Sequence, residues 1–294
     1  MIEVIPVPAF TDNYIWFITD KDESSNTLSA ITALTIIQQS TEKEGNSEQA
    51  MVSISHTRRP VAIVDPGDAA VVFAALEEHQ LEPIAILITH RHRDHVGGIE
   101  EILQRYPHIP VYGPETEEIP HRTHALNERD MISLAPLHLE LKVLDVRGHT
   151  AGHIAYYGAN RLFCGDTIFA NGCGRVFDST LEELYHSLQK IAHLPSETLV
   201  YCAHEYTVDN LGFAKWVEPD NEAIDARLEA CWDLIDNGKG TVPFILGYEF
   251  NTNPFLRTHI PEVIKKAESV AGRELKTPEE VFATLRIWKD TEYD

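Results

Sequence analysis

The sequence lacks any long apolar segment. None of its 294 residues lies in a run of ~18 consecutive apolar residues, the length that a membrane-spanning helix requires. Residues 1–17 also lack a basic start, an apolar core and an Arg-rich amphipathic stretch, so we expect no secretory or transit peptide. The hydrophobic content of 43% is typical of a globular protein. We therefore expect one large domain or two modest ones, with no membrane partner.

Cysteine and positive charge are both scarce. The four cysteines form no CxxC pair and are too few for a disulfide framework, which favours a reducing, cytoplasmic environment. Only 24 Lys and Arg side chains accompany 46 acidic ones, giving a net charge of −22. Such a surface repels phosphate backbones, so general binding of nucleic acid is not expected. If the substrate is an anion, the few cations must be concentrated where it binds.

Hydrophobic patterning divides the chain into a strand-rich and a helix-rich part. Residues 1–20 have the pattern of strand, turn and strand, and further short strands follow up to His204, interspersed with a few helices. From about residue 210 helical patterns dominate, and we place the domain boundary between residues 208 and 209. Residues 21–58 are polar and rich in turn-forming residues, which indicates an atypical insertion in the first domain.

A dense cluster of metal-ligand side chains follows one of the predicted strands, at residues 89–95 with the sequence THRHRDH. His90 and His92 are two residues apart, so an extended segment directs both imidazoles the same way. Asp94 and His95 then turn away towards a second position. Three imidazoles and one carboxylate within six residues are hard to accommodate without a metal, and these ligands suit zinc, iron or manganese. An exposed polar loop is the alternative for this segment alone.

Further ligand candidates lie downstream, where other predicted strands end. His149 and His153 belong to GHTAGH, Asp166 follows the strand RLFC, and His204 follows LVYCA. Because α/β sheets build their sites at such strand ends, the joint pattern HxHxDH…GHT…GDT…HEYT is more specific than any of its parts. We expect His153 to pack beside the site rather than to bind metal. Asp65 either orients a ligand histidine or caps a turn.

In this order the segments resemble the metallo-β-lactamase superfamily, an αββα sandwich with a binuclear metal site at one edge. The resemblance implies two triads that share a bridging carboxylate: His90, His92 and His149 for one metal, Asp94, His95 and His204 for the other, and Asp166 between them. Two zinc ions are expected, with iron or manganese also compatible. A water between two cations is driven towards hydroxide near neutral pH, and Asp94 would orient it. No Ser or Cys nucleophile is required, and the sequence has no GxSxG motif.

Within the superfamily the sequence resembles the glyoxalase II family, the hydroxyacylglutathione hydrolases. The matching segments are PAFTDNYIWF, VDPGDA, THRHRDHVGG, LFCGDTIFANGCGRVF, CAHEYT, NPFLR and FATLRIWKD, which span nearly the whole chain except about 21–58. The resemblance implies a monomeric thioester hydrolase that converts S-D-lactoylglutathione and other S-2-hydroxyacylglutathiones to glutathione and D-lactate, as in methylglyoxal detoxification. It also implies that the C-terminal helical domain helps to bind glutathione.

The resemblance further implies a substrate site made of Arg175, Phe177, Tyr206, Arg286 and Lys289. The basic residues would bind the glutathione carboxylates, which would concentrate scarce positive charge at one place. Considered alone, Arg286 and Lys289 are three apart on a predicted helix and are more typical of a solvated face. Arg175 alone is also compatible with a bond to a turn carbonyl. Phe177 departs from the family, in which many members have tyrosine.

Other functions fit parts of the same pattern. Another superfamily hydrolase, such as a lactonase, would use similar ligands. A persulfide dioxygenase would also use similar ligands, but it binds one iron and lacks the long C-terminal helical domain. A non-catalytic binding module of the same fold would not need an intact ligand set. A nuclease of this fold is opposed by the net charge of −22.

Overall fold

The computed structural model describes residues 1–21 and 58–293, and this part of the chain contains fourteen strands and nine α-helices. The insertion expected at 21–58 therefore lies, apart from its two end residues, outside the described residues. The first six strands form one sheet, with each strand beside its neighbour in sequence. Their bounds are Ile2–Ala9 (β1), Asn13–Asp20 (β2), Arg59–Val64 (β3), Leu81–Leu87 (β4), Val111–Pro114 (β5) and His124–Leu126 (β6).

The apolar patterns of these strands follow from burial of both faces of the sheet. In β2, Ile15 and Phe17 pack in one hydrophobic cluster, whereas Trp16 and Ile18 pack in a second cluster on the opposite face. This alternation is required because successive strand side chains point to opposite faces. Strands β3 and β4 pair in parallel and are apolar almost throughout, as expected of central strands covered on both sides.

The second sheet also has six strands. Its bounds are Met131–Leu134 (β7), Leu139–Asp145 (β8), Ile154–Gly158 (β9), Arg161–Gly165 (β10), Leu199–Cys202 (β13) and Phe244–Ile245 (β14), in the spatial order β14-β13-β10-β9-β8-β7. Between β10 and β13 the chain forms a small hairpin of Ile168–Phe169 (β11) and Gly172–Cys173 (β12). Because β10 and β13 run in parallel, both end at the same edge of the sheet.

Helices cover the outer faces of both sheets. The helices of the first domain are Ala69–Glu78 (α1), Arg93–Val96 (α2), Ile99–Arg105 (α3) and Leu181–Ala192 (α4). Side chains of α1 and α3 pack on the outer face of the first sheet, and the larger core between the sheets continues to α4. The ends follow local sequence rules: Asp68 caps α1, and Thr180 caps α4. The predicted αββα sandwich is confirmed.

The C-terminal part is helical, as predicted. Its helices are Thr207–Val217 (α5), Glu222–Asp236 (α6), Leu246–Thr252 (α7), Pro261–Ala271 (α8) and Pro278–Trp288 (α9), followed by a π-helical turn at Lys289–Tyr293. Glu249 of α7 is fully buried, pairs with Arg227 of α6 and accepts a hydrogen bond from the Asn171 amide at 2.7 Å. The helical part is thereby joined to the β11–β12 hairpin of the first domain.

Some elements were not expected from the sequence. The short strands β6, β11, β12 and β14 have two or three residues each, too few for a periodic hydrophobic pattern. The four-residue helix α2 lies inside the His/Asp cluster, where polar ligands hide any helical pattern. Within the described residues, no helix combines the length and apolarity that crossing a membrane would need.

Candidate metal centre and adjoining cavity

Four strand ends bring the predicted ligand residues to one edge of the sandwich. His90 and His92 follow β4, His149 follows β8, Asp166 follows β10 and His204 follows β13. Helix α2 begins after His92, so the chain direction changes between this residue and Asp94–His95. The change of direction explains how one seven-residue segment reaches two separate positions.

The first position gathers ligand atoms of His90, His92, His149 and Asp166, all within 4.8 Å of one another. The Nδ1 atom of His92 lies 3.0 Å from Nε2 of His90 and 3.0 Å from Nε2 of His149. The Oδ2 atom of Asp166 lies 3.4 Å from Nε2 of His149. His92 therefore presents its Nδ1 atom to the group, whereas His90 and His149 present Nε2.

The second position gathers Asp94, His95 and His204, again with ligand atoms within 4.8 Å of one another. The Oδ2 atom of Asp94 lies 3.4 Å from Nε2 of His95 and 3.6 Å from Nε2 of His204. Asp166 contacts this group as well, with Oδ1 at 3.5 Å from His95 and Oδ2 at 3.4 Å from His204. Asp166 thus lies between the two groups, where a bridging carboxylate would have to be.

The donor set fits divalent metal ions. Nε2 of His95 and Oδ1 of Asp166 are buried and have no hydrogen-bond partner among the residues that the structure describes. Burying such atoms without a partner costs free energy, and a cation between them would remove this cost. Imidazole nitrogens with carboxylates are the ligands that zinc, iron and manganese share. We conclude that this edge of the sandwich is a divalent metal site.

Asp65 contacts the candidate ligand His95, which supports the first of the two roles left open by the sequence. Its Oδ2 lies 3.0 Å from Nδ1 of His95, and both of its oxygens accept hydrogen bonds from Thr89. The Thr89 hydroxyl in turn lies 3.1 Å from Nδ1 of His90. A partner on Nδ1 directs the lone pair of Nε2 towards the metal position and fixes the tautomer.

Asp12 and Asn13 were missed by the sequence analysis. The Oδ1 atom of Asp12 lies 2.7 Å from Nδ1 of His204, and Nδ2 of Asn13 donates to Oδ2 of Asp94 at 2.9 Å. Asp12 lies in the turn between β1 and β2, and Asn13 is the first residue of β2. Asp12 is 192 positions from His204, and Asn13 is 81 positions from Asp94. The only local signal was the polar TDN turn between two apolar strands.

His153 packs beside the site, as expected, and belongs to neither group of ligand atoms. Its ring stacks on that of His90 with centroids 4.5 Å apart, and its Nε2 accepts a hydrogen bond from the Asp166 amide at 3.1 Å. Burial lowers the pKa of His153 well below the ordinary histidine value. This residue is therefore neutral at neutral pH and helps to position Asp166.

The electrostatics of the site suit cation binding. Burial lowers the pKa of His90 and of His149, so both imidazoles are neutral and keep a lone pair for a metal. Burial also disfavours the charged form of His95, but the negative charges of Asp166 and Asp65 outweigh this effect and raise the pKa of His95. Burial opposes ionisation of Asp166, yet His95 and His204 hold its pKa well below the usual range. The Asp166 carboxylate is therefore ionised.

A cavity of about 530 Å³ opens from the two ligand groups. Its walls include all five residues predicted to bind substrate: Arg175, Phe177, Tyr206, Arg286 and Lys289. The Tyr206 ring stacks on the His204 imidazole, with centroids 4.8 Å apart. The Phe177 ring is mostly exposed and meets the His92 and His149 rings edge to face.

The basic residues of the cavity are held by acidic partners. Arg286 and Lys289 are only 2% and 5% exposed, so the solvated helix face considered for them does not occur. Arg286 donates to the Cys173 carbonyl at 3.0 Å and to Asp290 at 2.7 Å. Arg175 also lies 3.3 Å from Asp290.

Lys289 donates to Asp209 at 3.3 Å. The cavity thus concentrates three of the scarce cations near the ligand groups, each with a nearby carboxylate.

Comparison with known proteins agrees with the fold. The sequence matches the Metallo-beta-lactamase superfamily over residues 51–204 and the Hydroxyacylglutathione hydrolase C-terminus over residues 205–292. It is 44% identical over 290 residues to a hydroxyacylglutathione hydrolase of Nitrosomonas europaea, covering 99% of this chain and 96% of the relative. It is 45% identical over 290 residues to a hydroxyacylglutathione hydrolase of Alkalilimnicola ehrlichii, covering 99% of both chains.

Solved structures show the same architecture. A metallo-beta-lactamase of Staphylococcus aureus superposes with a TM-score of 0.56 at 18% identity, covering 98% of this chain and 71% of that one. This similarity concerns the fold alone. The two hydroxyacylglutathione hydrolases also show the family, because each alignment extends over nearly the full length of both chains. The chain therefore belongs to the hydroxyacylglutathione hydrolase family of the metallo-β-lactamase superfamily.

Proposed function

We propose that this protein hydrolyses S-D-lactoylglutathione and other S-2-hydroxyacylglutathiones to glutathione and a 2-hydroxy acid such as D-lactate. One observation carries the proposal: side chains of both candidate ligand groups and three basic residues line one cavity. A glutathione thioester needs both features, because its acyl carbon must reach the metals while its two carboxylates need cations. The names of the full-length relatives support the same substrate class.

We assign two metal ions to the site, with His90, His92 and His149 holding one, Asp94, His95 and His204 holding the other, and Asp166 bridging them. Zinc is our first choice, and iron or manganese would also suit these ligands. When bound, two such ions supply a nucleophilic water at neutral pH and stabilise negative charge on the substrate oxygen.

The side chains around the ions would have distinct roles. Asp94, held by Asn13, would orient the attacking water as well as bind metal. Asp65, Asp12 and the Arg175 carbonyl hold the Nδ1 atoms of His95, His204 and His149, which keeps each imidazole aimed at the cluster. The departing thiolate requires little protonation, because a thiol has a pKa near ~8.5.

The glutathione moiety would occupy the outer part of the cavity. Arg175, Arg286 and Lys289 would bind its carboxylates, and Tyr206 would form one wall. We assign residues 1–208 to the catalytic domain and residues 209–294 to a glutathione-binding domain, because Arg286 and Lys289 come from the second part. One chain supplies every one of these residues, which supports a monomeric enzyme.

Methylglyoxal detoxification in the cytoplasm is the physiological role that we propose. All four cysteines are buried and unpaired, which supports a reducing compartment. The direct test is an assay of S-D-lactoylglutathione hydrolysis, monitored by the loss of the thioester absorbance. Turnover of a glutathione persulfide, or of a lactone, with no thioester cleavage would overturn the proposed function in favour of the related activities of this fold.

A further inference from the structure

Glu117 is a buried carboxylate to which neither the ligand set nor the proposed mechanism gives a role. It lies in the segment after β5 and is only 6% exposed. Its Oε2 accepts a hydrogen bond from the Arg91 amide at 2.6 Å. Its Oε1 accepts hydrogen bonds from the Gly152 amide at 3.0 Å and from the Thr150 hydroxyl.

These donors belong to two different loops, and each loop carries ligands of the same metal. Arg91 lies between His90 and His92, and Thr150 follows His149 directly. The two loops meet where Nδ1 of His92 lies 3.0 Å from Nε2 of His149. Glu117 therefore joins the His90–His92 loop to the His149 loop through backbone and hydroxyl groups rather than through the imidazoles.

Neighbouring residues hold Glu117 in this position. Arg122 donates to the Glu117 carbonyl at 2.7 Å and also to the Pro114 carbonyl, which fixes the segment. A Cβ atom on residue 152 would lie 2.6 Å from Cγ of Glu117 and 2.3 Å from the Thr116 hydroxyl, so glycine is required there. The sequence around Glu117 carries no signal of this role, because its hydrogen-bond partners are 26 to 35 positions away.

We infer that Glu117 is a positioning residue that sets the geometry of the metal position formed by His90, His92 and His149. This inference rests on the proposed metal-ligand set. A carboxylate suits the role, because it accepts three hydrogen bonds with two oxygens and offers no donor of its own. A glutamine would place its NH2 group against the N–H of either Arg91 or Gly152, so at least one of the three hydrogen bonds would be lost.

The test compares Glu117→Gln with Glu118→Gln, a change of the same type at the next, exposed position. Each purified apoprotein is titrated with Zn²⁺ in competition with a chromophoric chelator, and with Co²⁺ while the visible absorption of the metal is recorded. In Glu117→Gln we expect one of the two binding steps to weaken about 10- to 100-fold, the range typical of lost outer partners. We also expect a changed Co²⁺ spectrum. Glu118→Gln should match the parent protein.

Kinetics and stability provide the remaining readouts. For Glu117→Gln we expect kcat for S-D-lactoylglutathione to fall while KM stays within about twofold, since the glutathione contacts are elsewhere. The thermal midpoint of the apoprotein should remain close to that of the parent. Thr150→Val, which removes one donor only, should show a smaller loss of the same binding step.

Two outcomes would overturn the inference. Metal affinities of Glu117→Gln equal to those of Glu118→Gln would show that Glu117 does not position the ligands. An equal loss in both binding steps with a lower thermal midpoint would show that it supports the fold generally. A parent protein that binds no metal would instead refute the proposed function itself.

Discussion

Arg175 offers the cleanest test of the proposed glutathione site. Its side chain lines the cavity, whereas its main-chain carbonyl accepts the hydrogen bond that orients His149 at 2.8 Å. Replacing Arg175 with alanine removes the guanidinium and leaves that carbonyl in place. We therefore expect substrate binding to weaken without loss of metal. Arg286 is less suitable, because its buried guanidinium also joins α9 to β12 through the Cys173 carbonyl.

The size of the expected KM change follows from the exposure of the Arg175 side chain. A hydrogen bond to a charged group contributes roughly 1.5–3 kcal/mol, whereas an exposed ion pair contributes only about 0.2–1 kcal/mol. The Arg175 side chain is 50% exposed, so we expect about 1–2 kcal/mol between these limits. At ~1.4 kcal/mol per factor of ten, KM for S-D-lactoylglutathione should rise about 5- to 30-fold. The value of kcat should change little, because the contact is made equally in ground and transition states.

The assay is steady-state hydrolysis of two thioesters, S-D-lactoylglutathione and a lactoyl thioester of a small neutral thiol. Only the glutathione substrate should respond to Arg175→Ala, and Arg175→Lys should recover part of the loss. Arg105→Ala is the matched control, because Arg105 has a similar exposure of 47% and lies on α3 in an ion pair with Glu77. Equal losses on both substrates, or a loss of metal, would refute the assignment of Arg175 to glutathione.

Three further predictions concern the metals, the helical domain and the insertion. Asp166→Ala should lower metal content and turnover together while the circular dichroism spectrum is retained, because Asp166 contacts both ligand groups; unchanged turnover would contradict a bridging role. Glu249→Gln should lower the free energy of unfolding in urea by roughly 3–5 kcal/mol, because it leaves Arg227 buried without its charge partner. A loss below about 1 kcal/mol, the value typical of a surface ion pair, would refute this. Replacing residues 22–57 with a short turn should preserve thioesterase activity, because β2 and β3 are antiparallel neighbours with Thr19 opposite Val61; a folded but inactive variant would place the insertion at the active site.

The clustering of the candidate metal ligands could be predicted from sequence, because these residues are concentrated in short motifs at strand ends. His90, His92, Asp94 and His95 lie within six residues, and the buried apolar strand before them was itself evident. The long strands and helices were predictable for the same reason, since each carries its own hydrophobic period.

The residues that hold the ligands could not be predicted in the same way. Asp12 is 192 positions from His204, and Glu117 is 26 positions from Arg91. Such pairs leave no local pattern, because the contact depends on how two sheets and their loops pack. The burial of Arg286 was missed for a related reason: a basic residue on an amphipathic helix usually faces solvent, and only the tertiary contact with Cys173 shows otherwise.

We propose that one cavity contains a bimetal centre that cleaves a glutathione thioester. This proposal is tested most directly by measuring metal content and S-D-lactoylglutathione hydrolysis on the same protein sample, purified without chelators. We expect close to two metal ions per chain, loss of turnover when chelation removes them, and recovery when they are restored. Full activity in protein that reproducibly contains a single metal ion, or no thioester hydrolysis by protein that contains two, would contradict it.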